Sequence, residues 1–291
     1  DLISEHVIPD HVTVQHVLRY LDERPGEPFS LYVNFQATHF PYPLPDDHAP
    51  RFEARPITGR FDFLNWDPED REAFENRADS ALAYVDEQLG ELVRALEERN
   101  LADRTLVVFT SDHGELFFEH GLVTHGRSLF EGETRVPLVF YHPARIAPER
   151  VHEPVSTLDV LPTILDLLGL PPHPLHQGQS VRFIADPDRG RSTGIFLNIQ
   201  GWKHLSAVVC MPHKLVFDPE TKAALLFDLE RDPGELSDLA AEQPERAEAL
   251  RTLLLAQLDA QDRYHEDSDP GRELRRVRYA PRMLPCPELA P

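Results

Sequence analysis

The strongest constraint on the fold is an abrupt change of texture after Arg104. An apolar run, Leu106 to Phe109, stops at Thr110-Ser111-Asp112-His113-Gly114-Glu115. A second run, Val136 to Tyr141, follows after two His-Gly pairs, His120-Gly121 and His125-Gly126. Runs this short and rich in Val and Phe read as buried strands rather than helices. Hard ligand types at the end of a buried strand suit a metal or phosphate-like anion site, because the strand fixes them while the next loop reaches over the ligand.

The surrounding chain reads as strands alternating with helices. Val7 to Arg24 carries Val14, Val17, Leu18 and Leu21 at helical spacing and is stopped by Pro25-Gly26. Phe29 to Phe35 is the next strand candidate, and His39 sits just past it, where prolines 41, 43 and 45 forbid a regular continuation. Such a loop histidine is open to a functional or a structural role. Pro43 to Asp67 lacks any period and is expected to be an ordered loop or lid on the substrate side. Pro68 to Arg99 is the longest helical signal, with Asp67 as its cap and Ala81, Leu82, Val85, Leu89, Leu92, Val93 and Leu96 as its inner face. Strand, long crossover and strand make a βαβ unit, so the fold class expected is α/β with a central, mainly parallel sheet flanked by helices. Thr157 to Gly169 is a short amphipathic helix with Pro162 in its first turn. From residue 193 the texture changes to brief strands, Ile195–Ile199, Lys203–Val209, Lys214–Phe217 and Ala224–Leu229, and then a helix over Glu242–Arg263. That predicts a small C-terminal antiparallel sheet plus helix. The divisions expected are a core over 1–190, a subdomain over 191–265 and a tail over 266–291.

Bulk properties narrow the partners. With 50 acidic against 29 basic residues the formal net charge is -21, which argues against nucleic acid and against an anionic membrane surface. An anionic substrate remains compatible, since a metal ion and a few histidines invert the potential locally. The basic run Arg272 to Arg278 is expected to dock on acidic surface of the same chain. No apolar stretch reaches the length of a membrane span. Asp1 is not an initiator, so the sequence is expected to be processed or part of a longer one. Cys210 and Cys286 allow one bridge but no disulfide framework.

At the organising stretch, Asp112 and His113 would point to opposite faces of a strand, but on a sharp turn at Gly114 both can converge on one ion. A carboxylate with an imidazole suits zinc, manganese or iron, whereas a carboxylate-dominated site suits calcium or magnesium. The alternative is that Asp112 caps a helix and His113 packs beside it. Two ligands are too few for a closed site, so the others must come from elsewhere. His120 and His125, with Arg127 just beyond, are of the type that binds non-bridging oxygens of a phosphate or sulfate ester. Glu131 and Arg135 read as a structural pair holding this loop to the strand at Val136.

Taken together, these motifs resemble the alkaline-phosphatase-like superfamily, in its sulfatase and phosphonate-hydrolase branch. The likeness rests on S-D-H-G-E, E-H-G, H-G-R-S-L-F-E and R-V-P-L within 111–138, on N-F-Q-A-T-H-F-P in Phe29–Tyr42, on the Ser156–Gly169 segment, and on LFDLERDPGELSDLA at 226–240. The resemblance implies a divalent ion (calcium, manganese or zinc) with Asp112 and His113 among its ligands. It also implies that His39 contacts or protonates the ester oxygens and that His125 binds the anion. The substrate implied is a small anionic ester linked to a carbohydrate or lipid, acted on in a periplasmic or extracellular setting. One element of the family pattern is missing: a C/S-x-P-x-R or threonine nucleophile is not found in this context. The chain is therefore expected to correspond to the C-terminal two-thirds of such an enzyme, a missing N-terminal segment supplying the nucleophile. A transferase of phosphoethanolamine or glycerol phosphate, or a non-catalytic scaffold with this fold, is the alternative.

Overall fold

The computed structural model of the chain describes residues 8–57, 66–173, 176–184, 186, 193–200, 203–266 and 283–288. Two compact units interleave along the sequence, one holding 1–111, 115–124 and 137–148, the other 112–114, 125–136 and 149–291. They do not meet at a single boundary such as that expected at 190, since 149–190 group with the C-terminal residues. The basic run 272–278 and part of the expected lid, 58–65, lie outside the described residues.

The first unit is built on helix α2 (Arg71–Glu98), entered through a 3-10 turn at Pro68–Asp70. Asp67 caps that turn as expected, its carboxylate accepting the Glu69 N–H at 3.0 Å. The buried face of α2 includes Ala81, Val85 and Leu96 of the expected set and adds Phe74, Ala78 and Tyr84, while Leu82 is exposed. Aromatic neighbours decide this, because Phe74 and Phe40 both stand edge-on to Trp66, at 4.5 and 5.4 Å between ring centroids. Helix α1 (Asp10–Glu23) is tied to α2 by the Tyr84 hydroxyl, which accepts the His11 N–H at 2.9 Å.

Strands β1 (Val107–Thr110) and β4 (Leu138–Tyr141) form where the apolar runs predict. They pair antiparallel, from Val107 opposite Tyr141 to Thr110 opposite Leu138. Between them β2 (Leu116–Phe117) and β3 (Val123–Thr124) make a short antiparallel hairpin. Every ladder among the described residues is antiparallel, so the expected parallel pairing from Phe29–Phe35 is not among them. That stretch joins no ladder among the described residues, and Tyr32 is 92% exposed. A parallel strand needs cover on both faces, and the described residues do not give this stretch that cover.

In the second unit the expected meander is present: β5 (Ile195–Gln200), β6 (His204–Cys210), β7 (His213–Phe217) and β8 (Ala224–Asp228), in spatial order. Alternation assigns its two faces. Val208, Leu215, Phe217 and Leu226 pack on Leu250 and Leu254 of helix α5 (Pro244–Glu266). Ala207, Val216 and Phe227 face the other way, onto Leu129 and Phe130. Both faces are thus covered, and all of β7 is buried. The Ser156–Gly169 motif begins with a capping box made by Ser156 and Asp159, continues into α4 (Val160–Leu167), and places Pro162 in the first turn. Cys210 is bonded to Cys286, and the Gly194 N–H donates to the Leu284 carbonyl at 3.0 Å, so residues 283–288 are fastened beside the sheet.

Within β7, Lys214 is fully buried. Its Nζ lies 2.9 Å from Glu131 Oε1 and 2.9 Å from Glu235 Oε1. Burial raises the Glu235 pKa, with Lys214 opposing the shift. Lys214→Met is expected to cost about 3–5 kcal/mol, because the carboxylates are left without their cation. Adding Glu235→Gln should recover part of that loss. A carboxyl whose folded pKa is raised stabilises the fold at low pH and loses that contribution as pH rises through the folded pKa. The deficit of Lys214→Met should therefore shrink on acidification, as read by urea unfolding at several pH values. Reduction of the disulfide, whose cysteines are 76 residues apart, should cost about 4 kcal/mol in the same assay.

Candidate functional site

Strand β1 delivers the chain to Asp112 and His113. The Asp112 side chain is 88% exposed, and its Oδ1 accepts the His113 N–H at 3.0 Å. His113 Nδ1 lies 2.8 Å from the Gly114 carbonyl, which can only accept. The proton is therefore on Nδ1, and the lone pair of the neutral ring is on Nε2, the tautomer a metal ligand needs. Asp112 Oδ2 is 3.9 Å from His113 Nε2. Two donors each about 2.0–2.2 Å from one ion stand at most about 4.4 Å apart, so this spacing permits a shared cation. Among the described residues, however, no group of three or more His, Cys, Asp or Glu side chains is arranged to hold a metal. A zinc-type site uses four ligands, two more than Asp112 and His113 supply.

Gly114 serves a different purpose from the sharp turn expected. Its φ is not positive, but a Cβ there would run into the Gly132 carbonyl oxygen. The Gly114 N–H donates to the Glu133 carbonyl at 2.8 Å. This close approach joins the Asp112–Gly114 segment to the loop that ends in the short helix α3 (Glu131–Thr134). The same loop carries His125, whose ring centroid is 3.9 Å from that of His113, with the planes 35° apart. Thr124, just before it, is buried with φ 65, a left-handed conformation unusual for a β-branched residue. Arg127 follows in this loop and is half-buried.

His39 and His120 belong to the first unit. His39 is exposed and donates from Nδ1 to the Phe40 carbonyl at 2.7 Å, which leaves the neutral ring's lone pair on Nε2 as well. Its turn is held by Asp10 of α1, whose buried carboxylate accepts the N–H groups of Gln36 and Ala37 at 2.8 and 3.1 Å. Burial raises the Asp10 pKa and those two bonds oppose it. His120 is exposed in the turn between β2 and β3, with a left-handed backbone (φ 52).

Glu131 and Arg135 are joined only through the main chain, the Arg135 N–H donating to the Glu131 carbonyl at 2.9 Å. The expected side-chain pair is replaced by Glu131 with Lys214, since a fully buried ammonium takes the nearest carboxylate while Arg135 is exposed to water. Supporting residues not foreseen are Asp10, Glu133, Lys214 and Glu235. Lys214 did carry a signal, a lysine inside the apolar strand sequence His213–Phe217. The others lie in turns and ends where no period marks them.

Comparison with known proteins agrees with these motifs. The sulfatase family matches residues 4–170, and the C-terminal region of N-sulphoglucosamine sulphohydrolase matches 118–263. Choline-sulfatase of Rhizobium meliloti is 31% identical over 250 residues, which is 75% of this chain and 48% of that protein. Arylsulfatase K of Gallus gallus is 30% identical over 194 residues, 59% of this chain and 34% of that protein. The chain thus spans about a third to a half of these curated relatives. In fold it is similar to the phosphonate monoester hydrolase of Agrobacterium radiobacter, with TM-score 0.70 and 23% identity over 85% of this chain and 60% of that one. A protein crystallised with its substrate D-glucosamine-2-N,6-O-disulfate matches with TM-score 0.56 and 22% identity, over 70% of this chain and 44% of that one. The fold class is the α/β class of the alkaline-phosphatase-like proteins, and the chain belongs to the sulfatase family.

Proposed function

We propose that this chain is the late portion of a metal-dependent sulfuric-ester hydrolase, supplying two metal ligands and the histidines that handle the ester. The observation that carries this reading is the His113–His125 ring pair beside the Asp112 carboxylate. In it, Asp112 and His113 Nε2 hold a divalent ion together with ligands from outside the described residues. The ion would supply positive charge for the ester oxygens. His125 and Arg127 bind non-bridging oxygens, and the family resemblance gives His39 the protonation of the departing oxygen and His120 an anion-binding role. The nucleophile comes from a segment outside these 291 residues, as the chain's partial span of its relatives supports. Calcium, manganese and zinc are the candidate ions.

The substrate class proposed is a small anionic ester, with a sulfated carbohydrate favoured by the neighbour crystallised with a glucosamine disulfate. A second reading, a phosphoric- or phosphonic-ester enzyme, draws on the imidazole at 113 and on the fold likeness to a phosphonate monoester hydrolase. The Cys210–Cys286 bond supports an oxidising compartment, periplasmic or extracellular. No helix among the described residues is long and apolar enough to cross a membrane.

In the complete protein, Asp112→Ala with His113→Ala should lower bound metal, read by elemental analysis; equal metal content in variant and parent would end the proposal. His39→Ala should reduce kcat on an aryl sulfate by about 100- to 10,000-fold. The 291-residue chain alone, given zinc, manganese, magnesium or calcium, should show no saturable turnover of aryl sulfate, aryl phosphate diester or phosphonate monoester. Saturable turnover that Asp112→Ala abolishes would instead place the nucleophile within these residues. In the complete protein, preference among the three substrates separates the sulfate reading from the phosphate reading.

A further inference from the structure

Each histidine of the central pair is followed by a glycine, His113 by Gly114 and His125 by Gly126, and one residue grips both glycines. Glu133 is only 5% exposed. Its Oε2 accepts the Gly126 N–H at 2.8 Å, and its Oε1 accepts the hydroxyl proton of buried Ser128 at 2.6 Å. Its main-chain carbonyl accepts the Gly114 N–H at 2.8 Å. The peptides that follow His113 and His125 are therefore fastened to the same residue, one through its backbone and one through its side chain. The rest of the contact is rigid. Gly114 lies against the Gly132 carbonyl with no room for a Cβ, and α3 is anchored on its far side by Lys214 and by the Glu131 N–H, which donates to Glu235 Oε2 at 2.5 Å.

We propose that Glu133 is a positioning residue that sets the spacing of the His113 and His125 rings by clamping the glycine after each. The carboxylate is suited to this because its two oxygens reach two donors in fixed directions, and a buried donor left without a partner costs about 1–3 kcal/mol. Glutamine can satisfy the same pair, its amide oxygen accepting from Gly126 and its amide N–H donating to Ser128 Oγ. Aspartate keeps the charge but is one methylene shorter and cannot reach both. Geometry rather than charge is what the site requires. The value of the clamp for catalysis rests on the function proposed above; the clamp itself does not.

The test uses the 291-residue chain and Glu133→Asp and Glu133→Gln variants. The probes are the nuclear Overhauser effect between the His113 and His125 ring protons and inorganic sulfate added as an anion. The parent and Glu133→Gln should show the ring-to-ring effect, and Glu133→Asp should lose it while keeping its circular dichroism. An undiminished effect in folded Glu133→Asp would overturn the proposal, as would its loss in folded Glu133→Gln. If the variants do not fold, hydrogen exchange in the parent decides. The amides of Gly114 and Gly126 should be protected as strongly as those of α3, and exchange at open-loop rates would overturn the clamp. Sulfate that leaves both ring resonances of the parent unmoved would count against the anion-binding role and leave the clamp standing. In the complete enzyme, a displacement of about 1 Å in Glu133→Asp should lower kcat by about 100-fold, with Glu133→Gln restoring it.

Discussion

The second unit depends on the burial of Lys214. An ammonium without access to water is tolerated only when opposite charge and hydrogen-bond acceptors surround it. Here Glu131 and Glu235 supply the charge, each 2.9 Å from Nζ, and Glu131 Oε1 and Thr134 Oγ1 accept its hydrogen bonds. Their placement has structural consequences. Glu131 begins the helix that ends the histidine-bearing loop, and Glu235 lies in the turn after β8 with a left-handed backbone (φ 55). The ion cluster thus ties two separate stretches of chain to one strand. Hydrophobic contact of Leu129 and Phe130 with Ala207, Val216 and Phe227 brings the loop onto the sheet but has little direction of its own. The charges supply the direction, so the loop seats in one register.

Much of this arrangement was legible in the sequence. The four C-terminal strands were readable because they are brief strand-like runs separated by turns, with boundaries displaced by only a residue or two. The long helix was readable from its cap, and Ala81, Val85 and Leu96 of its expected inner face are buried; what was not readable is the aromatic cluster that Phe74 and Tyr84 make with Trp66 at its start. The Phe29–Phe35 stretch has the composition of a buried strand, but whether a strand pairs is decided by neighbours far away in sequence, and composition carries no information about those.

The candidate site divides in the same way. Asp112, His113 and His125 announce themselves by residue type, and the structure brings the two imidazoles together. The residues that arrange them do not announce themselves. Glu133 looks like any acidic residue of a strongly acidic chain until its partners are known, and Gly114 reads as a turn glycine although its role is to let two backbones touch. Spacing along the chain identifies chemistry that acts at one point. It is silent about bonds that close a loop through its own peptide groups.

The three kinds of acidic side chain around this loop show how burial sorts function. Glu133 is buried and accepts from an N–H and a hydroxyl, so its oxygens are satisfied within the loop and it serves as structure. Glu235 is buried against a cation, and desolvation still pushes its pKa upward, so its ionised form depends on Lys214 staying in place. Asp112 is the opposite case, with its side chain 88% exposed at the end of a strand. Ligand oxygens kept in water lose less on exchanging that water for a cation than buried ones would lose by waiting without a partner. A carboxylate meant to meet an incoming ion is therefore best left outside the core, next to an imidazole whose tautomer is already set by the Gly114 carbonyl. Under the metal-binding role proposed for Asp112, its exposure is the counterpart of the buried Glu133 behind the histidines.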